Sequence, residues 1–331
     1  MNIIYTEGLF NSVTKERYLK NMNEHTRRSN ERIFKIAALL ENTFVTDLYN
    51  FNLAQLKQLL MTMNSSVLST LTGAGNRIKN YIQWAIEQDL RTDNINPLDA
   101  MTSREWFEGM VDKSEATLFS EQKINELVSE CVNFQDKALI RGIYEGLGGR
   151  QFSELLNAKL EHIVKKGSTI EITLFDDGDQ KNKGRKMNIS YELYILLQKA
   201  AKETKYLKNN GVVTEGMKSY HSLLCDNDFI IRTARDARGS ENESAPSAMV
   251  NRRLKRISKT FDLLKLTPIN IRNSGMLNMA KDFYIEHGQI NKKDYLAICE
   301  HYNVGKGKVN ISRLRLDFLN EQNIKLIYGV H

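Results

Sequence analysis

Apolar residues recur at helical spacing through most of this chain, and the places where the rhythm breaks outline its architecture. Ile33, Ile36, Leu39 and Leu40 share one helix face, and Leu53, Leu56, Leu59 and Leu60 share another. A third helix opens near Ser69 and Thr70, carries Ile78, Tyr81, Ile82, Trp84 and Ala85, and ends near Leu90. Arg91 to Pro97 then gathers Asp, Asn and Pro, which reads as a linker, with Trp106 and Phe107 packing beside it. Regular pattern resumes at Ser120, an N-cap ahead of Ile124, Leu127, Val128 and Cys131 on one face. A helix over Asp136 to Tyr144 stops at Gly146, Gly148 and Gly149, and Ser153 to Leu160 reads as a further short helix. Thr169 to Leu174 alternates instead, with Ile170, Ile172 and Leu174 on one side of a strand. Asp176 to Asp179 is the turn, and Lys186 to Ile189 is the returning strand. Beyond Ser190 the pattern is helical again, interrupted by a polar loop around Gly239 to Pro246.

The expected fold is therefore mainly α with a small antiparallel β-sheet, and 331 residues allow two domains, read as 1–112 and 113–331. Only three prolines occur, which suits long helices. Charge divides unevenly between the two parts. Residues 1–112 carry 12 Lys+Arg against 13 Asp+Glu, leaving 35 against 27 for residues 113–331, so the net +7 resides in the second part. A basic domain attracts polyanions, and nucleic acid is the partner this points to. No apolar run is long enough to span a bilayer and the start of the chain lacks a signal-peptide pattern, so the expected location is the bacterial cytoplasm, on the nucleoid, with no membrane partner.

No cofactor or metal is expected. Cys131, Cys225 and Cys299 are scattered with no CxxC pair, and His162, His221 and His287 have no companion at ligand spacing. The glycines of GLGG do not follow a strand, so they fail the context of a dinucleotide cradle. Arginines carry more chemistry here. Arg150 follows that glycine turn and Arg272 begins a helix four residues after Pro268, so both forks of donors would sit on rigid backbone, as phosphate binding requires. On the helix from Ser247 to Lys259, Arg252, Arg256 and Lys259 share a face, Arg253 and Lys255 widen it, and Met249, Ile257 and Phe261 turn to a core. Arg77 and Lys79 offer further positive charge on the third helix.

Four stretches, in order, resemble the tyrosine recombinases, the phage integrase superfamily. NFQDKALIRGIYEGLGGRQFSELLNAKLEHI looks like the opening of the family's catalytic domain, and TLFDDGDQKNKGRKMNISYEL resembles its lysine-bearing hairpin. TPINIRNSG is similar to T-P-H-x-L-R-H-S/T, and YLAICEHYNV to the segment with the late histidine. STLTGAGNRIKNYIQWAIEQDL followed by NP is similar to the helical core-binding (SAM-like) domain. The resemblance implies a two-domain clamp on double-stranded DNA. It casts Arg150 and Arg272 as the two catalytic arginines, Lys181 or Lys183 as the hairpin lysine with Arg185 beside it, and His301 as the late histidine.

Departures from the pattern bear on activity. Arg150 stands one residue further from Ser-Glu-Leu than usual, so Gln151 competes for that place, and Ile269 replaces a histidine. The nucleophilic tyrosine should follow the late histidine by roughly ten residues, yet from Asn303 to Ile327 there is none, the zone offering Ser312, Asp317 and Phe318. Without a placed phenol the covalent step has no agent. The four positions are then vestigial, and the expectation is no enzyme but a sequence-specific transcriptional regulator, a phage repressor of lytic genes that maintains lysogeny. Self-association or a regulatory protein partner is compatible with that role. The alternatives are an active recombinase whose nucleophile is Tyr302 or Tyr328, and an accessory factor joining a recombinase through protein contacts.

Overall fold

A computed structural model describes residues 8–99, 103–112, 117–177, 184–235, 242–304 and 311–330. The chain divides into two compact units, Met1–Ser114 and Glu115–His331. The first contains α1 (Ser12–Leu19), α2 (Glu24–Phe44), α3 (Leu53–Thr62), α4 (Leu68–Glu87) and the short α5 (Arg104–Glu108). Most of the set that the periodicity singles out forms its core, since Ile33, Ile36, Leu40, Leu56, Leu59, Leu60, Ile78, Tyr81, Ile82 and Ala85 are buried, whereas Leu39 is exposed and Leu53 and Trp84 are only partly covered. Two of the starts have a clear local cause. Asn52 and Gln55 form a reciprocal capping box at α3, and the Asn23 side chain accepts from the Thr26 N–H at α2.

Two features of this unit were not visible as patterns. Lys15 is fully buried, its ammonium 2.6 Å from Glu41 Oε1 and 2.7 Å from the Phe10 carbonyl, while Asp47 accepts from the Tyr81 hydroxyl at 3.0 Å. A buried charge persists only when paired, so this network ties α1 to α2 and α4. The stretch expected as a linker is also packed. The Asn96 side chain donates to the Lys79 carbonyl at 2.9 Å, Arg91 donates to the Tyr49 carbonyl, and Leu98 is buried. Polar residues signalled a turn correctly, but their hydrogen bonds to neighbouring backbone make it part of the unit.

The second unit runs α6 (Glu121–Glu130), α7 (Phe134–Glu145), α8 (Ser153–Leu156), β1 (Ile163–Lys166), β2 (Thr169–Leu174), β3 (Arg185–Asn188), α9 (Tyr191–Lys202), β4 (Lys205–Leu207), β5 (His221–Leu223), α10 (Ser247–Thr260), α11 (Pro268–His287), α12 (Lys292–His301), α13 (Ile311–Asp317) and α14 (Glu321–Tyr328). Helix α7 lies at the centre, buried on all sides and packed by α6, α9 and α11. Strands β1, β2 and β3 form an antiparallel sheet in that order, with Leu174 opposite Arg185. Ile170, Ile172 and Leu174 face the core as their alternation predicts. Ser120, Ser190 and Thr267 cap α6, α9 and α11 through their hydroxyls, and Pro268 occupies the first turn of α11.

Several expectations need correction. The helix over Ser153 to Leu160 ends at Leu156, because Asn157 turns to reach the Asp177 carboxylate at 2.7 Å. The sheet has a third strand, β1, which is mostly exposed and so shows no alternation. The region after α9 is not continuously helical: β4 and β5 form a separate two-stranded ribbon. No helix among the described residues is long and apolar enough to cross a membrane.

Candidate functional site

The site grows from the end of α7. Gly146 closes that helix with φ of 108°, and Gly149 takes φ of 76°, conformations that a side chain would strain. Glu154 sits beneath this turn with 1% of its surface exposed. Its carboxylate accepts from the Gly148 N–H at 3.0 Å, from Arg185 Nε at 3.0 Å and Nη2 at 2.7 Å, and from Asn303 Nδ2 at 2.7 Å. Arg185 also donates to the Gly146 carbonyl at 3.0 Å and the His301 carbonyl at 2.6 Å. One ion pair thus gathers the glycine turn, the start of β3 and the end of α12. This corrects the expected DNA-facing role of Arg185, whose donors are occupied by protein acceptors.

Arg150 leaves the same turn outward. Its backbone N–H donates to Asp176 Oδ1 at 2.9 Å, which also accepts from Ser153 Oγ at 2.8 Å, so the residue is fixed to the segment leaving β2. Its side chain is exposed and has no hydrogen bond or ion pair among the described residues. Gln151 instead accepts from Ser247 Oγ at 3.4 Å, beside the start of α10. Lys181 and Lys183 lie outside the described residues.

His301 packs against Gly146, and its Nε2 lies 2.8 Å from the Glu145 carbonyl. A carbonyl only accepts, so Nε2 carries the proton. Burial holds the imidazole below its ordinary value, with the Arg185 charge adding to the effect and Glu145 opposing it. The folded protein therefore binds this proton less readily than the unfolded chain, and the stability present above about pH 6.5 declines as pH falls below that value. A His301→Gln variant is expected to show a shallower loss of stability over the same window in denaturant titrations at stepped pH.

Arg272 lies one turn before Gly275, the point where α11 meets α7. It is half-buried, donates from Nη2 to Asn273 Oδ1 at 3.3 Å, and has its Nε buried without a partner. No carboxylate pairs with it among the described residues, and desolvation lowers its pKa. An arginine stays charged in such a place, so Arg272 is a half-buried cation without a carboxylate partner among the described residues. Ile269, where the family pattern has a histidine, is 56% exposed in the first turn of α11.

The tyrosines considered as nucleophiles are placed differently. Tyr302 is 4% exposed, its hydroxyl donates to the Tyr144 carbonyl at 2.8 Å, and burial raises its pKa well above the phenol range. Tyr328 ends α14 with its hydroxyl buried and its pKa pushed up to about 12 by burial. Phe318 is buried in the C-terminal core with Leu319 and Ile324.

Helix α10 divides as its pattern predicts, with one exception. Arg252, Lys255, Arg256 and Lys259 are exposed while Met249 and Ile257 are buried. Arg253 is 5% exposed, stacks on the Tyr206 ring at 4.6 Å, and donates to the Arg232 carbonyl at 2.6 Å. It supports the helix from below, which corrects its expected place on the DNA side. In the first unit Arg77 donates to the Gly73 carbonyl at 3.0 Å and lines a cleft of about 390 Å³ with Arg32, which carries no motif of its own. Lys79 pairs with Asp99 at 2.8 Å on the surface, a contact of small worth. Among the described residues no group of His, Cys, Asp and Glu could hold a metal ion.

A glycine turn that gathers a late histidine and an outward arginine, with a second arginine on the neighbouring helix, defines a tyrosine-recombinase-like protein. Residues 118–329 match the family described as "MrpR, C-terminal catalytic domain" and residues 9–87 the one described as "MrpR, N-terminal core-binding domain"; the chain belongs to the MrpR family. It is 28% identical over 325 residues to the SPbeta prophage-derived protein YopR of Bacillus subtilis (strain 168), covering 97% of each chain. Among solved structures it aligns with the Tn1549 transposon integrase in complex with a circular intermediate DNA at 16% identity and a TM-score of 0.48, covering 93% of this chain and 94% of that one. It also aligns with XerA recombinase at 12% identity and a TM-score of 0.42, covering 97% and 98%.

Proposed function

We propose that this protein is a sequence-specific DNA-binding regulator built on a recombinase scaffold that no longer transfers strands, and that it acts as a prophage repressor of lytic genes. One observation carries the reading: Arg272 is half-buried with its Nε unbonded and no carboxylate beside it among the described residues, while the hydroxyls of Tyr302 and Tyr328 are buried. A half-buried guanidinium without a carboxylate attracts a phosphate oxygen. Tyr302, fixed on the Tyr144 carbonyl, cannot present its oxygen to that phosphate without breaking the core. Grip is retained while the attacking group is not. The SPbeta prophage origin of YopR supports a prophage setting.

Selection from a pool of random duplexes is expected to enrich one sequence, bound with an affinity that falls steeply as salt rises, since each neutralised phosphate releases counterions. Arg272→Ala should weaken that binding by about 1 to 3 kcal/mol, the range for removing a charge-assisted contact. Nicked suicide versions of the enriched duplex should yield no protein adduct that survives denaturation. An adduct that disappears in Tyr302→Phe or Tyr328→Phe would restore the recombinase. Salt-insensitive or sequence-blind binding would remove the regulator.

A further inference from the structure

A cleft of about 470 Å³ in the second unit lies between the ribbon β4–β5 and α10, whose exposed face carries Arg252 and Arg256. Three cations border it from two elements. Arg252 and Arg256 stand one turn apart on the exposed face of α10, and Lys208 faces them from the turn that follows β4. Arg253 lies at the floor over Tyr206, but its charge is already paired with the buried Asp136 carboxylate at 3.9 Å. Among the described residues no carboxylate lines the cleft, and the side chains of Lys208, Arg252 and Arg256 make no hydrogen bond or ion pair. Like charges around one concavity repel, and the low-dielectric walls strengthen that repulsion. Arg27 in the first unit, in contrast, is paired with Glu16 and Glu31. The Ser222 side chain supplies a neutral polar group, and Met217 and Met249 an apolar side.

We propose that this cleft is an anion site for a ligand bearing two or more phosphate groups, presented by a duplex backbone or by a free nucleotide. Its volume suits a small ligand, for which pockets run from roughly 300 to 1,000 Å³. Lys208 is the residue that makes the site a cleft, since the α10 arginines alone form a convex basic face. The duplex source rests on the DNA-binding reading, and the free-nucleotide source does not.

The test uses the full chain and calorimetric titration with inorganic pyrophosphate, with ATP and with a mixed-sequence duplex at low salt, in wild type, Lys208→Ala and the Arg252→Ala/Arg256→Ala double variant. Both variants are expected to weaken at least one of these ligands by about tenfold, roughly the worth of one charge-assisted contact, while keeping the wild-type unfolding midpoint in the absence of ligand. Pyrophosphate or ATP that displaces the duplex, or a variant effect confined to the duplex, identifies backbone phosphates as the source. ATP that binds without displacing duplex identifies a free nucleotide. Wild type that binds pyrophosphate but no duplex keeps the cleft and removes the DNA reading. Lys208→Ala with unchanged affinity for every ligand overturns the proposal, even where duplex binding is intact.

Discussion

Gly275→Ala is expected to unfold the second unit or to destabilise it by more than about 3 kcal/mol, above the usual range for overpacking. A Cβ at Gly275 would lie 1.8 Å from the Tyr144 carbonyl oxygen and 2.5 Å from the Tyr302 hydroxyl. Neither can step aside cheaply. The carbonyl belongs to the backbone of the last turn of α7, and the hydroxyl is bonded to that same oxygen. Relief requires α11 to move away from α7, which opens the packing around Met276, Leu277 and Ile298. Gly148→Ala is the control, because its Cβ would meet nothing closer than 3.6 Å, an ordinary contact. Denaturant unfolding followed by circular dichroism checks both. A Gly275→Ala protein as stable as Gly148→Ala would show that the two helices are not in the contact described.

Glu154→Ala is expected to cost about 3 kcal/mol, the lower end for breaking a buried ion pair, because Arg185 keeps some solvent. The variant leaves a guanidinium, the Asn303 amide and the Gly148 N–H without their shared acceptor. It should also loosen the turn that carries Arg150, so duplex affinity should fall together with stability. A double-mutant cycle separates pairing from bulk. Removing Arg185 as well should cost less than the sum of the two single changes, by at least about 1 kcal/mol of coupling. Strict additivity would mean that the pair is incidental.

Helix faces in this protein were legible because they bury one stripe against a neighbour, as in α2, α4 and α10. The strand β2 was legible for the same reason at a period of two. What escaped was structure without a buried face: β1 is open to solvent, and the β4–β5 ribbon is only three residues deep on each side. The four recombinase-like stretches fell where the catalytic-domain match lies, and Arg150, Arg272 and His301 are on rigid elements. Spacing alone could not show which arginines face inward. Arg253 sits among residues of the same charge, and only its phase on the helix, one position beyond Arg252, turns it to the core. The sequence neighbours of Arg185 are the hairpin lysines, whereas its partner Glu154 lies 31 residues away in Ser-Glu-Leu-Leu. A carboxylate five residues past Gly149, in the short helix that follows the glycine turn, is the signal that finds the pair.

The ion pair at Glu154 also sets a schedule for synthesis. Its acceptors and donors come from residues 154, 185 and 303, and the Arg185 guanidinium closes on a carbonyl 116 positions further along. A nascent chain emerging from the ribosome can complete the first unit's own contacts early, since the Lys15 network ends at Tyr81. The glycine turn, in contrast, stays without its full set of partners until translation has passed Asn303, and the face of α11 that α14 covers stays open until Leu319 and Ile324 arrive. Such non-local closure slows folding and exposes apolar surface meanwhile. A stalled or truncated message ending before residue 303 would therefore release an unfinished second unit, a natural substrate for chaperones and proteases, beside a finished first one.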